Sequence, residues 1–188
     1  MNGREIFRRF GFIARLAVSL LGVVPLPIMR LLWPLVTWTP GRVGIGLRYL
    51  VASRLFGSCG ANVRIGTWCT IEHFEKIHCG SNVSLHTGCY IDAVGNVSIG
   101  DDVSVAHGTS ILSFEHTWAN HQQSIKYNPL NTAPVVIGDD VWIGCGVRIL
   151  AGTAISRRTV IAAGSIVLAG EYGPGLYAGV PAKRKGDV

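Results

Sequence analysis

Along residues 137–168 an aliphatic side chain returns every six positions: Ile137, Ile143, Ile149, Ile155, Ile161 and then Val167. Four residues after each of the first five stands a small or β-branched one, Val141, Val147, Thr153, Thr159 and Ser165. A six-residue period suits neither a helix, which repeats about every 3.6 residues, nor a long flat strand, which alternates about every 2. It predicts one short strand and one corner per repeat, with three repeats to a coil of about 18 residues. No coil buries its own apolar face, so coils must stack, Ile upon Ile, as a parallel β-helix. A β-sandwich would instead require alternating strands joined by hairpin turns.

The same beat starts earlier, at Ile65, Ile71, Ile77, Val83 and Cys89, slips by two, and resumes at Ile99, Val105 and Ile111. The next clear repeat begins at Ile137, 26 residues after Ile111 instead of six. About 20 residues, roughly 114–134, therefore leave the coil as a loop holding Phe114, Glu115, His116, Trp118, Asn120 and His121. Loops thrown from a rigid scaffold commonly carry function. The solenoid is assigned to residues 57–170 and a basic tail to 171–188, where Gly179-Val180-Pro181-Ala182-Lys183 makes a compact turn.

Residues 1–56 are a different material. Arg4, Arg8 and Arg9 precede an apolar run from Phe10 to Val36 that is broken by Arg15, Pro25, Pro27, Arg30 and Pro34. Its longest uncharged piece, Leu16–Met29, has 14 residues, against about 20 for a membrane span. A basic start followed by an apolar stretch suggests a signal peptide, but no A-x-A-like cleavage site follows. Two readings remain: a helical cap packed on the solenoid, or an anchor lying on a membrane surface.

Composition narrows the picture. The chain has 188 residues with 24 Gly, 48% hydrophobic and 15% charged residues, which suits one Gly-cornered domain. The five cysteines form no CxxC pair, so no metal site follows from them and reduced, cytosolic thiols are expected. Cys59, Cys69, Cys79 and Cys89 lie ten apart, out of step with 18-residue coils, and are not expected to stack. The net charge of +6 is uneven: residues 1–54 hold eight Arg and one acid, Glu5, and Lys183-Arg184-Lys185 lies near the end. Such patches suit anionic ligands or membrane surfaces. No nucleic-acid-binding pattern accompanies them, so nucleic acid is not an expected partner.

Pro134-Val-Val-Ile-Gly-Asp-Asp-Val-Trp-Ile-Gly, Ala162-Ala-Gly-Ser-Ile-Val and Ala178-Gly-Val-Pro-Ala-Lys together resemble the hexapeptide-repeat acyltransferases. The resemblance covers about residues 60–185 and is strongest to maltose and galactoside O-acetyltransferases and to acyltransferases of capsule and exopolysaccharide assembly. It implies an all-β, left-handed parallel β-helix with an N-terminal helical or apolar segment and a protruding loop. It also implies acetyl-CoA as co-substrate with no metal, a sugar or glycan acceptor, a homotrimer, and a role in bacterial surface-polysaccharide synthesis. The location would be cytoplasmic, at the inner face of the plasma membrane if the basic segment binds there.

The family's catalytic histidine, at the start of the protruding loop, matches His116. Such chemistry needs a base, because a hydroxyl is a poor nucleophile until its proton is taken, and imidazole is partly neutral near pH 7. Trp142 matches an aromatic kept near the site, Cys145 and Ala163 match positions that meet coenzyme A, and Lys183 matches a basic residue at its phosphate end. The family's Thr-Lys pair after the last repeat is Leu168-Ala169 here, a departure at one coenzyme contact for which Lys185 and Arg184 are the nearby sources of charge. The sugar-binding Asn of the galactoside enzymes falls at His86 and their acidic pair at Ala93-Val94, so the resemblance implies a different acceptor. Asp92 is the nearest carboxylate, suited to holding a sugar hydroxyl, orienting an imidazole or capping a corner.

Two alternatives stand beside this reading. His116 and His121 are spaced H-x4-H with His86 upstream, resembling the β-helical carbonic anhydrases, whose zinc is held by three histidines. The other is a non-catalytic β-helix scaffold.

Overall fold

The computed structural model describes residues 12, 16 and 18–188. Arg4, Arg8, Arg9 and Arg15, which bear on the membrane reading, lie outside the described residues. Short strands stack into three parallel sheets that form the faces of a β-helix. The first sheet runs Ser58–Cys59, Ile77–Cys79, Val97–Ile99, Val135–Ile137, Thr153–Ile155 and Gly170–Tyr172. The second runs Arg64–Ile65, Ser84–Leu85, Ser104–Val105, Val141–Ile143, Thr159–Ile161 and Gly175–Ala178. The third runs Thr70–Glu72, Tyr90–Asp92, Ser110–Leu112, Arg148–Ile149 and Ile166–Val167. The corners after the first, second and third sheets stack into three edges, named here in that order.

Register confirms the apolar columns. Ile71, Ile91, Ile111, Ile149 and Val167 lie on one another in the third sheet, each 4% exposed or less. The Ile-Gly-Asp-Asp motif also finds its physical reason. At Gly100 a Cβ would stand 2.8 Å from the backbone of Gly138 in the next coil, so no side chain fits. The carboxylate of Asp139 accepts the Asp101 N–H of the coil before it at 2.8 Å, and Asp101 does the same for Ser81 at 2.6 Å. The second acid of each motif, Asp102 and Asp140, takes the left-handed backbone of the corner, which short polar side chains tolerate best after glycine.

The first coils differ from the 18-residue expectation. Ser58 pairs with His78, and His78 with Ser98, a repeat of 20 residues. The two extra residues sit at the third edge, in turns closed by Lys76 N–H to His73 O and Asn96 N–H to Ala93 O. Leu85 and Ile91, not Val83 and Cys89, therefore continue the columns begun by Ile65 and Ile71. The cysteines do stack, because ten-residue spacing is in step with a 20-residue coil. Cys59 lies in register with Cys79, and the Cys69 and Cys89 thiols donate to the carbonyls of His86 and Ala106. Burial pushes Cys59 up to about 12 and raises Cys79. Cys89 is raised by its neighbour Cys69 and by burial. Cys59, Cys79 and Cys89 so held are poor nucleophiles, whereas Cys69 is lowered, chiefly by its hydrogen bond with Cys89.

Two helices close the open first coil. Helix α1, Leu26–Thr37, turns Met29, Trp33 and Val36 inward at helical spacing. Helix α2, Gly41–Leu55, buries Gly44, Arg48, Val51, Ala52 and Leu55 on one stripe. In the coils each strand carbonyl meets an N–H of the neighbouring coil, and the first coil has no such neighbour on one side. Arg48 fills that role for one carbonyl, its Nε donating to Ile65 O at 2.7 Å, while its Nη1 holds the end of helix α1 through Val36 O and Thr39 O at 2.9 and 2.7 Å. Trp33 packs edge-on against Phe74 at 5.2 Å. At the other end, Lys183–Gly186 pairs antiparallel with Gly175–Ala178, so strands of the first two sheets continue beyond residue 170. Among the described residues no helix is long and apolar enough to cross a membrane.

Candidate active site

The second edge is a uniform rail. Its ladder climbs one coil per step through Thr67, Thr87, His107, Cys145 and Ala163, joined by Gly88 N–H to Thr67 O, Gly108 to Thr87, Gly146 to His107 and Gly164 to Cys145, at 2.9–3.1 Å. Gly88, Gly108, Gly146 and Gly164 hold φ of 67–72°, a left-handed turn that glycine alone adopts without cost. A Cβ on Gly108, Gly146 or Gly164 would meet nothing within 4 Å, so the upper rail is bare backbone facing open space. Residues 179–182 fold over its top, with Gly179 N–H donating to Ser165 Oγ and Ala182 N–H to Ile166 O. Lys183, Arg184 and Lys185, all exposed, follow at once. Cys145, Ala163 and Lys183 are thus brought together on one edge. A narrow strip whose upper part carries only the small side chains of Cys145 and Ala163 between its glycines, ending near Lys183 and Lys185, fits the thin arm and phosphates of coenzyme A.

His86 belongs to the lower part of the same edge. Burial lowers its pKa first, and Arg64 and His107 nearby lower it further. Trp142 stands on the outer surface of the second sheet, 55% exposed, in register with Ser104 below and Val160 above.

The third edge is irregular. After Leu112 the chain leaves the coil as an antiparallel ribbon, Phe114–His116 against Leu130–Thr132, with His116 opposite Leu130. His116 is exposed and its ring lies 6.2 Å from that of Phe114, edge to face. Beyond it the tip is organised by Asn128, which accepts the Asn120 N–H at 3.0 Å and donates to Asn120 O and Ser124 O. Asp92 sits at the foot of this edge, nearly buried. Its Oδ1 meets His73 Nδ1 at 2.9 Å and the Val94 N–H at 3.2 Å, so its imidazole partner is His73 and not His116.

Within one chain, the third sheet separates His116 and Asp92 from His86, Cys145, Ala163 and Lys183. The same separation applies to the three histidines of the zinc reading. Among the described residues no group of three or more His, Cys, Asp or Glu side chains could hold a metal ion. Residue spacing alone missed Thr67, Thr87 and His107 of the rail, and Arg64 on the adjoining sheet. The signal was present in the 20-residue intervals 67, 87 and 107, readable only once the coil length is known.

Residues 134–169 match the family model for the bacterial transferase hexapeptide, six repeats. A candidate acetyltransferase of Saccharomyces cerevisiae is 60% identical over 35 residues, 19% of this chain and 18% of that protein, so the match spans under a fifth of the relative. Among solved structures, a maltose O-acetyltransferase of Clostridium difficile shares 27% identity over 86% of this chain and 85% of that one, with a TM-score of 0.75. A galactoside acetyltransferase in complex with coenzyme A shares 26% over 88% and 84%, at 0.73. A hexapeptide-repeat acetyltransferase of Vibrio cholerae complexed with acetyl coenzyme A shares 25% over 85% and 82%, at 0.72. By its repeat, and by a fold shared along most of its length with these enzymes, the chain is similar to the hexapeptide-repeat acetyltransferases.

Proposed function

We propose that the protein transfers an acetyl group from acetyl-CoA to a hydroxyl of a sugar or glycan, in the synthesis of a bacterial surface polysaccharide. The observation that carries this reading is the pairing of a bare, cation-ended rail with an exposed imidazole at the base of the only long ribbon among the described residues. Acetyl-CoA lies along the upper second edge past Cys145 and Ala163, with its phosphates toward Lys183. His116 takes the acceptor proton as the hydroxyl oxygen attacks the thioester carbonyl; the new C–O bond forms, the C–S bond breaks, and the imidazolium returns its proton to the departing thiolate. Backbone N–H groups offset the charge on the carbonyl oxygen. No acyl-enzyme is required.

Because His116 and the rail lie on different edges of one chain, each site is built from two chains of a homotrimer. The exposed Trp118, Ile125 and Tyr127 of the ribbon tip, 60–70% accessible in the single chain, supply apolar area for that contact. The test is a transfer assay over a panel of sugars and glycans. His116→Ala should abolish turnover and leave acetyl-CoA binding intact; full turnover in that variant would overturn the assignment.

The cap adds a location. Its inward face is committed to the first coil, yet Leu31, Leu35, Trp38 and Val43 are 62–73% exposed on the outside. The sequence of residues 1–54 is basic, with eight Arg to one acid, although Arg48 is buried and Arg30 pairs with Glu75; an apolar face in so basic a segment suits the surface of an anionic membrane, where each basic residue near the surface contributes about 1 kcal/mol. Vesicles containing phosphatidylserine should float with the protein, and Leu31→Ser with Leu35→Ser should abolish flotation without lowering activity on soluble sugars. Unchanged flotation would remove the membrane from this account.

A further inference from the structure

The second sheet carries a feature that acetyl transfer to a neutral sugar does not use. On its outer surface the residues in one row, coil by coil, are Arg64, Ser84, Ser104 and Trp142. Burial alternates along each strand, so these four face outward while Ile65, Leu85, Val105 and Ile143 face the core. Between an exposed indole and an exposed guanidinium the surface thus falls to two hydroxymethyl groups. With coils about 4.8 Å apart, the row from Trp142 to Arg64 spans about 14 Å, the scale of a sugar with one further group attached. An aromatic face suits the apolar side of a sugar ring, and serine hydroxyls suit its oxygens. Arg64 is the distinctive member, since among the described residues no ion pair holds it. His86, one residue past the adjoining strand, feels its charge.

Coenzyme A does not account for this cation. The rail's basic end is at Lys183, while Arg64 is in the first coil, four coil steps, or about 19 Å, below Val160 in the fifth. Arg64 also lies beside the cap, since helix α2 places Arg48 on the carbonyl of Ile65. The acceptor end of the shelf therefore adjoins the cap that carries the exposed apolar face.

Building on the acetyl-transfer reading, we infer that the acceptor is an anionic saccharide, a glycosyl phosphate, with its sugar ring against Trp142 and the serine shelf and its phosphate held by Arg64. Such a phosphate comes either from a soluble nucleotide sugar or from a lipid-linked sugar in the membrane beside the cap.

The test compares N-acetylglucosamine, N-acetylglucosamine 1-phosphate, UDP-N-acetylglucosamine and a polyprenyl diphosphate-linked N-acetylglucosamine in vesicles, each with acetyl-CoA. Wild-type kcat/KM should favour the phosphorylated forms. Arg64→Gln should lower it for these by at least about tenfold, leaving the neutral sugar and the KM for acetyl-CoA unchanged, and Arg64→Lys should recover part of the loss. Equal losses on neutral and phosphorylated acceptors, or no preference in the wild type, would overturn the inference. A preference for the vesicle-bound acceptor would assign the phosphate to a lipid carrier, and one for the nucleotide sugar to the soluble pool. Should no sugar be acetylated at all, the transfer reading fails, and calorimetry with the sugar 1-phosphate still decides the inference. Binding weakened by Arg64→Gln sustains it; equal or absent binding sinks it.

Discussion

The second and third edges of this β-helix are made from the same number of coils, yet one repeats and the other does not. On the second edge each coil turns through a similar left-handed corner, Trp68 in the first and glycine at φ near 70° in the next four, and its upper part is a strip of exposed backbone. On the third edge the corner is lengthened by two residues in the first coils, expands into the ribbon that bears His116, and then tightens at Gly152. A rail needs regularity, because a long flexible ligand must lie across several coils without meeting a side chain. Chemistry needs the opposite, one departure that lifts a single imidazole clear of the stack. The two requirements occupy different edges, and under the proposed function the site is the place where edges of two chains meet.

Disturbing the irregular edge should have the largest effect. His116→Ala is expected to lower kcat by roughly 10²–10⁴, the usual contribution of a general base, with acetyl-CoA affinity and melting temperature unchanged. The regular edge should answer differently. Ala163→Trp places a bulky side chain on the exposed rail and should weaken acetyl-CoA at least about tenfold, as read by isothermal calorimetry. Stability should hardly move, because Ala163 faces outward. If Ala163→Trp left coenzyme affinity intact, the rail would not be the coenzyme site.

A third effect tests what anchors the rail. Arg48 is 1% exposed; it supplies a donor to Ile65 O of the first coil and ties that coil to the end of helix α1 through Val36 O and Thr39 O. Arg48→Met would leave the buried Ile65 carbonyl without its donor and remove the Arg48 bonds to Val36 O and Thr39 O, at a cost of about 3 kcal/mol, or roughly 6–12 °C in melting temperature for a chain of this size. Calorimetry checks it, and a shift under about 2 °C would mean that solvent or a rearranged helix α2 replaces Arg48. Turnover per folded molecule should stay near that of the parent, since Arg48 touches neither the upper rail nor the ribbon.

The same contrast explains what the sequence makes legible. From Ile137 to Val167 every coil has 18 residues, so the apolar period, the strands and the corners all follow from counting. The ribbon announces itself as an interruption between Ile111 and Ile137, and His116 falls within it. Before Ile99 the two residues added at His73–Lys76 and Ala93–Asn96 shift the beat, and counting lands on Val83 and Cys89 in place of Leu85 and Ile91. The stacking of the cysteines is lost for the same reason. Arg48 could not be recognised as a cap because nothing local separates it from the other arginines of the first 54 residues. Arg64 and His86 lie 22 positions apart, and only the register of the coils makes them neighbours. Handling the irregular edge thus decides how far a repeat can be read.

The central claim, that the rail of one chain serves the imidazole of another, is tested most directly by mixing two inactive variants. His116→Ala lacks the base but keeps its rail, whereas Ala163→Trp keeps the base and blocks the rail. Co-expressed with different tags and purified through both, they form mixed oligomers in which some sites combine an intact rail with an intact His116. These mixed oligomers should regain a substantial fraction of wild-type turnover, while each variant alone, or the two mixed without subunit exchange, stays inactive. Mixed oligomers as inactive as their parents would show that rail and base act within a single chain, and would contradict the account.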